Sequence, residues 1–224
     1  MKRKVALLDV DDVIIRFIEG FNAYLMTKRP DVKIPAAAYL PKQWNYAEFG
    51  DISKEMTEFI DKYSDECKVF KGAADFTKKF KDMGFEVVFL TAHPAHKTLE
   101  RIINLKEQNI TFDSLYCTAY YNSSGEKLYR SKVEFAEALG MGKEGTEFLF
   151  VDDKAATVVD MLAKFPNCKV FTMDRTYNRA DLDGLNLFDE DSSRFHCTEY
   201  DPSQKIEVQV VKMYENVLNV AGEM

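Results

Sequence analysis

Val5-Ala6-Leu7-Leu8-Asp9-Val10-Asp11-Asp12-Val13 joins an aliphatic run to two carboxylates that stand two residues apart. The aliphatic part reads as a buried strand. Asp9 and Asp11 at its end are costly neighbours, because each raises the other's proton affinity and burial adds to the penalty. A hard divalent cation bound through oxygen removes the conflict, and Mg2+ typically takes one or two carboxylates together with water and substrate phosphate. The stretch therefore reads either as a metal-assisted phosphoryl-transfer site or as a strand followed by an acidic turn.

The rest of the chain narrows the choice. With 224 residues it fits one large domain, or one domain with a sizeable insertion. A composition of 46% hydrophobic and 30% charged residues is that of an ordinary globular protein. No run approaches the ~18 apolar residues of a membrane span, so no membrane partner is expected. Met1-Lys2-Arg3-Lys4 is basic, but the apolar stretch behind it is too short for a signal peptide. Cys67, Cys117, Cys168 and Cys197 are widely spaced and read as reduced thiols, which makes a cytoplasmic location the expectation. Thirty-seven acids against 30 bases give a net charge of -7, which argues against general nucleic-acid binding. A small phosphorylated substrate stays compatible, since a metal and a few lysines reverse the field within one cleft.

Strand-like runs recur at Val5–Leu8, Glu86–Leu90, Leu115–Ala119, Phe148–Val151 and Lys169–Thr172. Helical periodicity fills the gaps at Ala73–Met83, His96–Gln108, Lys132–Leu139 and Ala155–Phe165, with Gly84, Gly140 and Gly142 as helix stops. This alternation predicts a doubly wound parallel α/β sheet. Between about Arg16 and Lys71 no comparable strand occurs, only helical stretches (Phe17–Thr27, Ile52–Tyr63) around a Pro- and aromatic-rich middle. A crossover needs far fewer residues, so residues 16–71 are expected to form a small inserted helical cap, with 1–15 and 72–224 as the core. The tail from Thr198 to Met224, with Ile206, Val210, Met213 and Val217 near helical spacing, is expected to form a terminal helix packed on the sheet.

Further chemistry falls at strand ends. Val87-Val88-Phe89-Leu90 ends in Thr91-Ala92-His93, where a hydroxyl and backbone N–H groups suit a phosphate oxygen or a simple helix cap. Phe148-Leu149-Phe150-Val151 ends in the second acidic pair, Asp152-Asp153. Lys132 opens a helix 20 residues earlier and is the candidate active-site lysine, with Lys127 and Lys143 as rivals. His93 is a candidate phosphate or supporting contact, while His96 reads as surface or packing.

Strand-DxD, strand-Thr, Lys and strand-DD in this order resemble the four signature motifs of the haloacid dehalogenase-like hydrolase superfamily. The likeness covers about Lys4 to Thr172, with the insertion where that superfamily places a cap. It implies a Rossmann-like core, Mg2+, and Asp9 as nucleophile forming an aspartyl-phosphate. Asp11 is then the general acid and base, the residue that separates phosphatases and mutases from dehalogenases. The metal is expected on Asp9, the backbone carbonyl of Asp11, Asp152 and Asp153, and the phosphoryl oxygens on Thr91, Ala92 and Lys132. Asp12 stands where many relatives have Gly, so the direction of its side chain matters.

Phe171-Thr172-Met173-Asp174-Arg175-Thr176-Tyr177-Asn178-Arg179 is similar to a segment of the 5′(3′)-deoxyribonucleotidase branch, with Thr176 in place of the usual Pro. Arg175 and Asn178 are expected to be structural. Trp44, Tyr46 and Phe49 offer faces for a nucleobase, or else a core for the cap itself. The expectation is a phosphomonoesterase acting on (deoxy)nucleoside monophosphates. The alternatives are a phosphatase or mutase for another metabolite, a nucleic-acid end phosphatase, and a non-catalytic binding module.

Overall fold

Strand β1 (Arg3–Leu8) lies mid-sheet, because Val5 to Leu8 have no exposed surface and only a strand covered on both faces accepts four apolar residues in succession. The computed structural model describes residues 2–34, 46–121, 127–129, 131–173, 193–199, 201 and 203–224. After β1 come α1 (Phe17–Lys28), α2 (Ile52–Lys62), α3 (Ala73–Asp82), β2 (Glu86–Pro94), α4 (Thr98–Glu107), β3 (Ser114–Tyr121) and β4 (Lys127–Tyr129). Then follow α5 (Lys132–Ala138), β5 (Thr146–Val151), α6 (Ala155–Lys164), β6 (Cys168–Met173), β7 (Phe195–Thr198) and α7 (Ile206–Gly222).

The strands lie in the order 4-3-2-1-5-6-7. Among the described residues six strands run parallel, and β4 is antiparallel, at one edge. The chain builds outward from β1 through β2 and β3, then returns to start again at β5. The switch point between β1 and β5 is where ligands bind in such sheets, beyond the carboxyl ends of the strands.

Side chains alternate as the strand period requires. Ala6, Leu8, Val87, Phe89, Leu149 and Val151 join one apolar cluster, covered by α3 and α7, where Phe76 stacks on Tyr214 with ring centres 4.1 Å apart. Val5, Leu7, Val88, Leu90, Phe148 and Phe150 join the other, against Ala136 of α5 and Val158, Met161 and Leu162 of α6. A buried side chain of this size contributes roughly 1.5–3 kcal/mol over its exposed state.

The five expected strands and the core helices stand where expected, with boundaries moved by a few residues. β4 and β7 are additions. The tail does not begin as a helix: Thr198 closes β7, and α7 starts only at Ile206. After α5 the left-handed turn is made by Gly140, at φ 81°, and not by Gly142. All four cysteines are free thiols. No helix among the described residues is long and apolar enough to cross a membrane.

The expected insertion contains α1, a 3-10 turn at Tyr46–Phe49, and α2, which Asp51 caps by accepting from the N–H groups of Ser53 and Lys54. Phe59 of α2 is ringed by Phe17, Phe21 and Tyr24 of α1 at 5.3, 5.4 and 5.6 Å between ring centres. The chain crosses into and out of this region side by side. Ile15 pairs antiparallel with Val69, the Arg16 N–H donates to the Lys68 carbonyl at 2.9 Å, and the Phe70 N–H donates to the Ile14 carbonyl at 2.8 Å. Helix α4 clasps the second crossing: the Asn104 amide donates to the carbonyls of Asp65 and Cys67, and Gln108 Oε1 accepts from the Val69 N–H at 2.9 Å.

Candidate active site

Register places the first two carboxylates. Leu8 pairs with Val151, so the next residues, Asp9 and Asp152, leave adjacent strands together at the switch point. Their backbones continue the ladder: the Asp9 N–H donates to the Val151 carbonyl at 2.8 Å, and the Asp152 N–H to the Phe171 carbonyl at 3.2 Å. Both side chains are buried, as is that of Asp153. Oxygens of Asp9, Asp152 and Asp153 all lie within 4.8 Å of one another.

Lys132 answers this charge. Ser131 and Glu134 form a reciprocal capping box that starts α5 at Lys132. Its ammonium reaches Asp9 Oδ2 at 2.8 Å and Asp152 Oδ2 at 2.7 Å, while Asp152 Oδ1 accepts from the Lys154 N–H at 2.7 Å. Burial favours the neutral amine, but Asp152 and Asp9 outweigh it and hold the Lys132 proton more tightly than usual. Burial pushes the Asp9 carboxyl well up; Lys132 opposes this, and Asp152, Asp153 and Asp11 add to it. Lys143 instead lines a cavity of about 790 Å³ with Lys2 and Gly145, which precede β1 and β5, at the opposite ends of the strands. The Lys127 side chain lies outside the described residues.

Asp11 is held apart from this group. Residues 10–15 form one wide turn, with the N–H groups of Ile14 and Ile15 both donating to the Val10 carbonyl at 2.9 Å. The Thr91 hydroxyl donates to Asp11 Oδ2 at 3.0 Å and accepts from the His93 N–H at 3.1 Å. Arg101 Nη2 lies 3.1 Å from Asp11 Oδ1, and His93 Nδ1 lies 4.0 Å from Oδ2. Burial raises the Asp11 carboxyl, but Arg101, His93 and the Thr91 hydroxyl together bring it below the usual range. His93 is pushed down to about 4 by burial and by Arg101, so it is a neutral imidazole at pH 7.

Asp12 has its direction settled. Its φ of 58° is left-handed, a conformation glycine takes without strain, and its buried carboxylate accepts from the Ile18 N–H at 3.2 Å at the start of α1. Of the expected cap contacts, Phe49 is half-buried against the apolar cluster that includes Phe59. Trp44 and the Tyr46 side chain lie outside the described residues, as do Arg175 and Asn178. His96 is exposed, 3.5 Å from Asp61.

The donor set suits a hard cation. Three buried carboxylates share the site and Lys132 pairs with two of them, an excess of negative charge that oxygen-preferring divalent ions neutralise.

No protein-family model matches the chain. It is 26% identical over 177 residues, 76% of this chain and 87% of the other, to a protein of Oceanobacillus iheyensis named "Putative nucleotidase". The crystal structure of a predicted phosphatase from Clostridium acetobutylicum superposes with a TM-score of 0.56 at 14% identity, over 98% of this chain and 99% of that one. A HAD family hydrolase from Deinococcus radiodurans, with bound phosphate and sodium, gives 0.56 at 13% identity, over 97% of each chain. The fold is that of the haloacid dehalogenase-like hydrolases. On this haloacid dehalogenase-like frame the residue that sequence reasoning missed is Arg101. α4 exposes Leu99 (66%) and Ile103 (47%) and buries Arg101 and Asn104 beside Leu105, so polar residues share its inward face.

Proposed function

We propose that the chain is a Mg2+-dependent phosphoric monoester hydrolase that works through an aspartyl-phosphate on Asp9 and acts on (deoxy)nucleoside 5′-monophosphates. The observation that carries this reading is the placement of Asp9 at the switch point, 2.8 Å from Lys132, with Asp11 two residues on and held by a separate set of groups. The named nucleotidase relative and the phosphate-bearing structural neighbour support it.

Asp11 takes up a proton from water as substrate binds; in the first step an Asp9 oxygen attacks phosphorus, the bond to the alcohol oxygen breaks, and that oxygen takes the proton from Asp11. In the second, Asp11 removes a proton from water, the water oxygen attacks phosphorus, and the Asp9–phosphorus bond breaks to release phosphate. Lys132, Thr91 and the backbone N–H of Ala92 bind the phosphoryl oxygens. When the Thr91 hydroxyl turns to the phosphoryl group it leaves Asp11, which removes one of the groups holding Asp11 ionised. Asp9, the Asp11 carbonyl, Asp152 and Asp153 are assigned to hold the metal. When bound, Mg2+ neutralises charge on the phosphoryl oxygens.

We assign residues 16–71 to the cap and 1–15 with 72–224 to the core, and Trp44 and Tyr46 to the nucleobase. A cytoplasmic location agrees with the four free thiols. The test is phosphate release with magnesium from nucleoside monophosphates and sugar phosphates. Asp9→Asn is expected to abolish release with the fold intact. Retained activity removes Asp9 as nucleophile, and equal rates on every ester remove the nucleotide preference.

A further inference from the structure

Arg101 has no exposed surface, and it sits on the inward face of α4 where a globular helix ordinarily carries an apolar residue. A guanidinium cannot shed its charge, so burying one demands pairing. Here the pairing is concentrated on a single nitrogen. Nη2 lies 3.1 Å from Asp11 Oδ1 and 3.0 Å from His93 Nδ1, whereas Nε and Nη1 are buried with no hydrogen-bond partner. A guanidinium that served packing or general stability would spend its fork on carbonyls or on a bidentate carboxylate. This one leaves Nε and Nη1 idle and sets Nη2 between the His93 ring, with which it hydrogen-bonds, and Asp11, whose Oδ1 has no hydrogen-bond partner and meets it as an ion pair.

Before substrate binds, the other side of Asp11 is held as well. The Thr91 hydroxyl holds Oδ2, so each carboxylate oxygen faces its own cationic or donor group. His93 anchors the guanidinium from behind and is itself packed edge-on to Phe17 of α1, with ring centres 6.5 Å apart. Three elements, α4, the end of β2 and the start of α1, therefore converge on the orientation of one carboxylate.

We propose that Arg101 is a positioning residue that acts through Asp11, holding its carboxylate in one orientation beside Asp9 for proton transfer to and from the reacting oxygens. The inference rests on the phosphatase reading above. It assigns Arg101 no contact with substrate; the residue acts at one remove.

The test compares Arg101→Met and Arg101→Lys on two monoesters, nitrophenyl phosphate and a nucleoside 5′-monophosphate. The first has a leaving group that needs little protonation and the second an alcohol that needs it fully. A group acting through the acid is expected to lower kcat/KM, which reports the step that expels the alcohol, about tenfold more on the alkyl ester than on the aryl ester, with partial rescue by Lys. Equal losses of kcat/KM on both esters overturn the proposal. If Arg101→Met does not fold, Asp11→Asn/Arg101→Met, in which no buried charge is left unpaired, is compared with Asp11→Asn alone. Equal activity of the two supports action through Asp11, and a further loss of about tenfold in the double variant overturns it. A wild-type protein inactive on both esters overturns the phosphatase reading and this inference with it. An active wild type with flat Arg101 variants overturns this inference alone.

Discussion

The ammonium of Lys132 stands 2.8 Å from Asp9 Oδ2, and both side chains are buried at the carboxyl end of the sheet. The same ammonium also reaches Asp152, so one cation joins the first strand's carboxylate to that of the strand beside it. Removing one partner from a buried ionic group leaves the others uncompensated, which typically costs about 3–5 kcal/mol. Lys132→Met is expected to lose stability on that scale in metal-free buffer, read by urea denaturation. It is also expected to lower phosphate release by about 10²-fold or more, as loss of a charge-stabilising group at a phosphoryl site does. An unchanged rate would remove Lys132 from the chemistry.

Asp9, Asp152 and Asp153 place three buried carboxylate oxygens within 4.8 Å. An ion that binds only the folded chain raises its stability by about 2.7 kcal/mol at a hundred times its Kd. Magnesium is therefore expected to raise the melting temperature relative to a chelator-treated sample, and Asp152→Asn to abolish most of that rise. Coincident melts with magnesium and with chelator would count against a metal at these residues.

His93 gives a pH dependence with a defined sign. Its imidazole titrates at about 4 in the folded chain, against 6.5 for an unperturbed one. Between these values the unfolded chain binds a proton that the folded chain refuses, so stability from this site is complete above pH 6.5 and falls as the pH drops toward 4. The difference amounts to at most about 3 kcal/mol. His93→Gln is expected to flatten the stability profile across that window in urea titrations, and parallel profiles for the two proteins would contradict it.

Gly20 lies in α1, where an added Cβ would meet Cys67 Sγ at 2.6 Å and Phe59 Cζ at 3.3 Å. Helix propensity alone favours alanine over glycine by about 1 kcal/mol. The clash reverses this, and Gly20→Ala is expected to destabilise by about 1–3 kcal/mol as an overpacked core does. Cys67→Ala removes the obstructing sulfur, so the double variant should recover most of the loss in a thermal double-mutant cycle. Additive losses would mean that the contact with Cys67 is not what excludes a side chain.

What could be read beforehand follows from which signals are local. The buried strands announce themselves through unbroken apolar runs, and the parallel order makes their carboxyl ends converge; Asp9, Thr91, Lys132 and Asp152 could thus be gathered from spacing and motif order. β7 escaped because Phe195–Thr198 is four residues long and partly exposed, with no apolar run to mark it. Arg101 escaped for a different reason. Its partners, Asp11 and His93, come from other elements, and no periodicity in α4 names them. Only the presence of Arg101 and Asn104 beside Leu105 on the inward side of that helix hinted that it met something charged.

The pairing of Ile15 with Val69 has a consequence for how this chain tolerates change. Both connections leave the sheet layer through adjacent, mutually hydrogen-bonded positions, and α4 fastens one of them with the amides of Asn104 and Gln108. Topologically, everything between them is a single long loop whose ends are already closed. Lengthening, shortening or replacing such a loop changes its closure entropy by only about 0.6 kcal/mol per doubling. The middle of the segment can diverge, or be exchanged as a cassette, while Phe17 and Ile18 at its start stay with the His93 ring and the Asp12 carboxylate that they meet.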